Sequence, residues 1–435
     1  MKLELERQDF LKAWQTAGKF ANTKTPKDSV SGVLIAASDD NTVILEATDL
    51  RTSIRCQARG VNVIEPGTAV IPAVMFGDML RKLPADDLVL EVNSKRVFLN
   101  AGSQKMRFTA PSTEEFPKIP ESSGAEAVCE ITSQVLGKLI AEGSAAASQP
   151  QDFPKYLGTC LLRTSEGMLI AVSTDGKRLS LAKSPCSASK DDDLLLPAPA
   201  LRELGKTVTN YADNDTVKTV KVFADGSTVW FGLEGIEFSI RRVESAFPRF
   251  ERILNTDVRT TLRIQAGELL SALERIDIIA KGNPGHIMAM ALQTNGELRI
   301  TARAPELGTA VENLMADITG SYLHLGFNVE YFTDGLKALG AGEASIEFSD
   351  EEGQARMKRA DADDFLYMLM PARLSQQDAM TAEEIGDFSG NNTEGEPAEI
   401  PEQEQSQESQ EGNEGMQDVQ ETSGNNDEYI PETPF

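Results

Sequence analysis

VLIAASDDNTVILEATD (33–49), CLLRTSEGMLIAVSTD (160–175) and MALQTNGELRITARAP (290–305) share one design. Each is two apolar runs around a polar turn, at Asp40-Asn41, Glu166-Gly167 and Asn295-Gly296, which is a hairpin signature. Thr48, Thr174 and Thr301 close these runs at steps of 126 and 127 residues (174 − 48 and 301 − 174). An amphipathic helix pattern precedes each hairpin: RQDFLKAWQTAGKFA from Arg7, SQVLGKLIAEGSAAA from Ser133 and AGELLSALERIDIIA from Ala266. A second follows each: AVMFGDMLRKLP from Ala73, APALRELGKTV from Ala198 and VEYFTDGLKAL from Val329. The period exceeds that of common solenoids, so each copy is domain-sized. Alternating stretches such as TVKVFADGSTVWFGL and ASIEFSD make the class α+β with mostly antiparallel pairing.

The 435 residues accommodate three domains, expected at 1–122, 123–256 and 257–374, followed by a segment 375–435. Cys56, Cys129, Cys160 and Cys186 lack C-x-x-C or histidine pairing and read as reduced, buried thiols of a cytoplasmic protein, with no metal site and no cofactor. The start, MKLELERQDF, carries charge throughout and no apolar core of a signal peptide, and no apolar run approaches a membrane span, so a soluble protein that stays inside the cell is expected. His286 and His324, the two histidines, have no Ser, Cys or carboxylate pattern that suggests catalysis.

The net charge of −26 is unevenly spread. From Ser375 there are 17 Asp and Glu and no Lys or Arg, so residues 1–374 carry −26 + 17 = −9. The tail is rich in Glu, Gln, Ser, Gly and Asn and is expected to be disordered, because it holds too little apolar surface to bury. On the lining candidate in the first copy, Lys12, Gln15 and Lys19 recur three or four apart on one helix face, with Lys24 just beyond. Further cations stand on the other helices: Arg81 and Lys82, Lys138, Arg202 and Lys206, Arg275 and Lys281, and Lys337.

TDGKRLSLA (174–182), FPRFERIL (247–254), LGFNVEYFTDGL (325–336) and YMLMPARL (367–374), with STEEFPKIP (112–120) in the first copy, resemble ordered segments of the bacterial sliding clamp family, the beta subunit of DNA polymerase III. The resemblance spans residues 1–374. It implies three similar clamp domains per chain, two helices on antiparallel sheets in each, forming an arc that dimerises head to tail into a ring. Helices would line a channel around double-stranded DNA, held without sequence preference. It implies no catalysis: a closed ring stays on DNA by topology and keeps a tethered polymerase at high effective concentration.

By the same resemblance Gln15, Lys24, Gln151 and Tyr156 match DNA-touching positions, with Lys155 beside them. A peptide groove between the second and third domains would receive the DNA polymerase III alpha subunit, the clamp loader and repair proteins. Its matching residues are Leu157, Thr174, Gly176, Lys177, Arg178 and Leu179, then Pro248, Arg252 and Ile253, then Met368, Met370, Pro371, Ala372, Arg373 and Leu374. These supply an apolar floor, adaptable methionines and arginine donors at the rim. The homodimer contact would use Phe108, flanked by Lys105 and Arg107, against Ile278 and Ile279, with the family's acidic cluster thinned to Glu306 and Glu312. Lys177 stands where the family often has His, and Val74 and Ala198-Pro199 stand where it often has a basic residue. The tip NNDEYIPETPF resembles the acidic end of bacterial single-stranded DNA-binding proteins. An alternative reading is a clamp-like scaffold that binds partners without encircling DNA.

Overall fold

The computed structural model describes residues 1–22, 29–149, 152–211, 218–254, 257–350 and 353–374. The first copy runs β1 (Lys2–Glu6), α1 (Arg7–Gly18), β2 (Gly32–Ala37), β3 (Val43–Thr48), β4 (Thr52–Gln57), β5 (Val61–Glu65), β6 (Gly67–Pro72), α2 (Ala73–Lys82), β7 (Asp87–Asn93), β8 (Arg96–Ala101) and β9 (Gln104–Thr109). The second repeats the order as β10 (Glu126–Thr132), α3 (Ser133–Gly143), β11 (Thr159–Ser165), β12 (Met168–Thr174), β13 (Arg178–Pro185), β14 (Ser187–Ala188), β15 (Asp192–Pro197), α4 (Ala198–Tyr211), β16 (Thr219–Ala224), β17 (Thr228–Leu233) and β18 (Ile236–Arg241). The third is β19 (Thr260–Gln265), α5 (Ala266–Ala280), β20 (Ile287–Leu292), β21 (Glu297–Ala304), β22 (Gly308–Met315), β23 (Asp317–Gly320), β24 (Leu323–Asn328), α6 (Val329–Leu339), β25 (Glu343–Phe348), β26 (Ala355–Arg359) and β27 (Ala362–Leu369). All strand pairs between these elements are antiparallel, as the alternating patterns require.

Sheet order makes the three copies one object. Each copy contributes two half-sheets, and the half-sheet ending in β18 pairs with β4 of the copy before it, giving the order β14-β10-β16-β17-β18-β4-β3-β2-β6. The same joint recurs one copy later as β27 on β13, in the order β15-β11-β12-β13-β27-β26-β25-β19-β23. Two half-sheets remain alone: β5-β1-β7-β8-β9 and β22-β21-β20-β24. They end in β9 and β22, the positional equivalents of the strands that make the two internal joints.

The helices form because their apolar residues recur at helical spacing and the sheets supply a surface to bury them. In α1, Phe10, Trp14 and Ala17 are buried, and Trp14 packs edge-on against Phe76 of α2 with ring centroids 4.7 Å apart while its Nε1 donates to Ala73 O at 3.0 Å. In α6 the Asn328 side chain caps the Tyr331 amide at 2.9 Å. The hairpin turns are where the polar pairs predicted them. Glu166 and Gly167 both take positive φ (52° and 77°), as a tight two-residue turn demands.

Some bounds differ from those expected in sequence. Thr301 does not close its run: β21 continues to Ala304, a step of 130 from Thr174 (304 − 174). Helices α1 and α3 stop at Gly18 and Gly143, short of the apolar pattern, while α4 runs on to Tyr211. Gly143 abuts β12 so closely that a Cβ would lie 2.3 Å from Ala171 Cβ. Among the described residues no helix is long and apolar enough to cross a membrane.

Candidate functional site

The groove residues are assembled by the joint between copies 2 and 3. Leu179 of β13 lies opposite Met368 of β27, and both belong to a second apolar cluster with Leu161, Val172, Leu181, Leu195 and Phe250. This cluster is separate from the main core that runs beneath all six helices. Sequence reasoning missed Leu161, Val172 and Phe250. For Leu161 the signal was the uninterrupted run Cys160-Leu161-Leu162, since a strand apolar on successive residues is covered on both faces.

The Thr174–Arg178 turn owes its shape to local hydrogen bonds. Thr174 Oγ1 accepts from the Gly176 amide (3.1 Å) and donates to Arg178 O (2.7 Å), while Asp175 Oδ1 accepts from the Lys177 and Arg178 amides at 2.9 and 3.0 Å. Thr48 and Asp49 make the same bonds in copy 1. Copy 3 lacks the Thr-Asp pair and closes the turn by Leu307 N on Ala304 O at 3.2 Å.

Arg178 is not a rim donor, contrary to expectation. Its Nε donates to Asp175 Oδ2 (2.9 Å) and its Nη1 to Asp334 Oδ2 (2.7 Å) and Tyr367 Oη (3.1 Å), and the guanidinium lies 4.1 Å from the Tyr331 ring centroid. Burial opposes its charge, yet Tyr367, Asp334 and Asp175 more than offset this and raise its pKa. Burial likewise pushes the Tyr367 hydroxyl up, so it stays a neutral donor, to Tyr331 O at 2.9 Å. Arg178 therefore pins α6 and β27 of copy 3 to copy 2. Lys177, Arg252 and Arg373 are exposed.

Pro248 is exposed, and the 3-10 turn Phe250–Ile253 puts Phe250 in the second apolar cluster while Ile253 is 47% exposed. Arg163, another residue missed, holds this turn: the guanidinium binds Asp193 (2.6 and 2.8 Å) and Glu251 and lies over the Phe250 ring. Met370, 50% exposed, donates its amide to Lys177 O (2.9 Å), and Ala372 bridges to Gly326. Gly326 must be glycine there, because a Cβ would sit 2.4 Å from Ala372 O and 2.7 Å from the Leu374 side chain. Pro371 and Leu374 are half-buried at this edge, and Leu157 lies in the 3-10 turn Lys155–Gly158.

Lys12, Gln15 and Lys19 are exposed along one face of α1, with Lys12 on Asp9 at 2.9 Å and Lys19 on Glu203 of α4 at 3.0 Å. Lys155 is exposed, and Tyr156 packs edge-on against Phe247 at 6.1 Å. Lys24 and Gln151 lie outside the described residues, as does the tail. Arg202 departs from its expected channel role: it is half-buried and bonds the Ser144 hydroxyl (3.1 Å) and carbonyl, which closes α4 on α3. Arg275 is engaged by Glu312 at 2.6 and 2.8 Å, so that carboxylate is already answered within its own chain.

At the unpaired ends, β9 alternates exposed Lys105 and Arg107 with half-buried Met106 and Phe108, and Phe108 packs on Phe76. Beside it α2 exposes Val74 and Met75 over an apolar cavity of about 730 Å³ lined also by Met79, Leu83 and Met106. At the other end Ile278 of α5 is 66% exposed, Ile279 is half-buried and Glu306 is exposed.

His286 has carboxylate neighbours after all, its Nε2 2.9 Å from Asp277 Oδ1 and its Nδ1 3.7 Å from Glu330. Among the described residues no group of three or more His, Cys, Asp or Glu side chains could hold a metal.

Family models described as the N-terminal, central and C-terminal domains of the DNA polymerase III beta subunit match residues 1–120, 130–249 and 251–373. The beta sliding clamp of Staphylococcus epidermidis is 27% identical over 384 residues, covering 86% of this chain and 99% of the relative. The beta sliding clamp of Staphylococcus aureus is 25% identical over 383 residues, with the same coverage. Among solved structures, the Pseudomonas aeruginosa DNA polymerase III subunit beta superposes with a TM-score of 0.78 at 26% identity, covering 86% of this chain and 100% of that one. A sliding clamp from the same organism bound to griselimycin gives 0.79 at 25%, with the same coverage.

Proposed function

Because the chain belongs to the DNA polymerase III beta subunit family and works as a DNA sliding clamp, we propose that two copies close head to tail through β9 of one protomer and β22 of its partner. The observation that carries this is the recurring joint. β4 takes β18 and β13 takes β27, while β22 and β9, the same two positions in the repeat, each keep one edge without a strand partner among the described residues. An exposed sheet edge is a template for another strand. The apolar face of α2 at Val74 and Met75 then receives Ile278 of α5, so this closure rests on apolar contact more than on the family's acidic cluster.

The Leu179–Met368 groove takes a short peptide with Gln and paired apolar residues, and its exposed Lys177, Arg252 and Arg373 meet the peptide's carbonyls or acids. Through it the clamp tethers the polymerase III alpha subunit, the clamp loader and repair proteins in the cytoplasm. Lys12, Gln15, Lys19, Lys24, Gln151, Lys155 and Tyr156 face the DNA, whose phosphates they hold without register. We take the domain boundaries at residues 122 and 256, with the third domain ending at 374. The test is retention: protein loaded on circular DNA should co-elute with it and be lost when the circle is cut. Equal retention on cut and closed DNA would refute encirclement.

A further inference from the structure

Residues 242–254 leave copy 2 after β18 and lie across the face of β11, β12 and β13 that is turned away from the main core. Val243 starts this crossing with its amide on Leu195 O at 2.9 Å. Val243, Phe247, Phe250 and Leu254 then pack on Leu195, Leu161, Val172 and Leu181, which stand side by side in register, and the Phe247 and Phe250 rings meet edge-on at 6.2 Å. Arg163 stands two residues along β11 from Leu161, hence on the same face. It lies directly opposite Asp193 of β15 and binds that carboxylate through Nε at 2.6 Å and Nη2 at 2.8 Å, which fixes the guanidinium plane. The remaining nitrogen, Nη1, donates to Glu251, and the guanidinium carbon is 5.4 Å from the Phe250 ring centroid. From copy 3, Gln354 Nε2 donates to Ile253 O at 3.0 Å. The 3-10 turn Phe250–Ile253 is thus held by one side chain from each copy.

We propose that Arg163 is a positioning residue for the peptide groove: by holding Glu251 and Phe250 it sets where Arg252 and Ile253 stand, without itself touching the bound peptide. The proposal rests on the groove reading, which gives Pro248, Arg252 and Ile253 to the peptide. Glu251 and Ile253 share a single 3-10 turn, so fixing one fixes the other. Because Asp193 anchors the guanidinium bidentately, the turn comes to one place on the sheet and not to a range of places. A turn already in place spares the peptide the entropy of ordering it, and preorganisation of this kind raises affinity. The Arg163 side chain is 28% exposed and that of Glu251 50%, so dissolved ions reach the pair and weaken it.

The experiment is calorimetric titration of the full-length protein with a blocked, uncharged peptide of Gln and paired apolar residues. Wild type is compared with R163Q, E251A, R163Q/E251A and K183Q. Lys183 is exposed in the same register row as Arg163, so K183Q makes the same charge change two strands away. R163Q and E251A should each weaken binding about fivefold, the upper end for a partly exposed ion pair. The double variant should lose no more than either single one, since both remove one contact, and K183Q should bind as wild type does. Added salt should weaken binding of this uncharged peptide in wild type and leave R163Q unmoved, a response that general loosening of the fold would not give. Glu251 is half-exposed, so E251A carries the test if R163Q fails to fold. Wild-type affinity in R163Q or E251A, additive losses in the double variant, or an equal loss in K183Q overturns the positioning role and leaves the groove reading intact. A wild type that does not bind the peptide overturns the groove reading and this proposal with it.

Discussion

Leu179 and Met368 face each other across the β13–β27 pair, both almost wholly buried, although 189 residues separate them (368 − 179) and they belong to different copies. The floor of the proposed groove would thus be a product of the joint, and its lip could be altered without touching that floor. Met370 is half-exposed at that lip, so Met370→Ala should weaken binding of a Gln-plus-apolar peptide by about 5- to 30-fold, the range of an interface residue worth 1–2 kcal/mol. Calorimetric titration reads this, and the melting temperature should stay at the wild-type value. Undiminished affinity would remove Met370 from the site.

Arg178 has a different role from the exposed groove cations and should fail differently. Arg178→Met leaves Asp175, itself 9% exposed, without its guanidinium, a loss expected at about 3–5 kcal/mol for breaking a buried pair from one side. Arg178→Lys should restore only part, since an ammonium cannot bind Asp175, Asp334 and Tyr367 together from one plane. Urea unfolding measures both, and a cost below about 1 kcal/mol for the Met variant would show that water replaces the arginine.

Ile278→Asp places a charge on the most exposed apolar residue of α5. If closure joins α5 to the Val74–Met75 face, the variant should be monomeric at micromolar concentration where wild type is a dimer, and light scattering after size exclusion separates the two. A dimer of unchanged strength would move the contact elsewhere. The fold should be unaffected, because Ile278 is not part of the core.

The thiols should sort by exposure. Burial pushes Cys56 and Cys160 up to about 12, and Cys129 reaches about 12 through burial and the neighbouring Cys186. Cys186 is half-buried, not buried as its sequence context suggested, and burial raises it too. A raised thiol is protonated at neutral pH, and only the thiolate reacts. Iodoacetamide should therefore modify Cys186 alone in the native protein, faster as pH climbs from 7 to 9. Peptide mass mapping reads the site, and early labelling of Cys56 or Cys160 would mean that the strands open.

Local patterns were the legible part of the fold. Helices α5 and α6 were bounded correctly in sequence because each starts after a strand and stops where the apolar spacing ends, at Ala280 and before Gly340. In α3 the pattern ran on through small residues, and the stop depends on tertiary contacts: Ala171 abuts Gly143, and the Ala146 amide donates to Ser173 Oγ at 3.2 Å. Thr301 took the place of Ala304 because TARAP imitates the run of its counterparts without their Thr-Asp turn. The groove residues were readable through resemblance, yet the inward commitment of Arg178 was not. It depends on Asp334 and Tyr367, which a strand pairing between distant parts of the chain brings within reach.

The half-joint left at each end also governs how a closed pair would come apart. Inside the chain, parting β13 from β27 still leaves the copies tied by continuous polypeptide; between chains nothing covalent backs β9 and β22. Once one such contact has formed, the other is an encounter within a single body, so its effective concentration is set by geometry and not by how much protein is present. Dilution alone should then act slowly, since both seams must be open at once for a subunit to escape. A factor that pries one seam gains an opening without losing the partner.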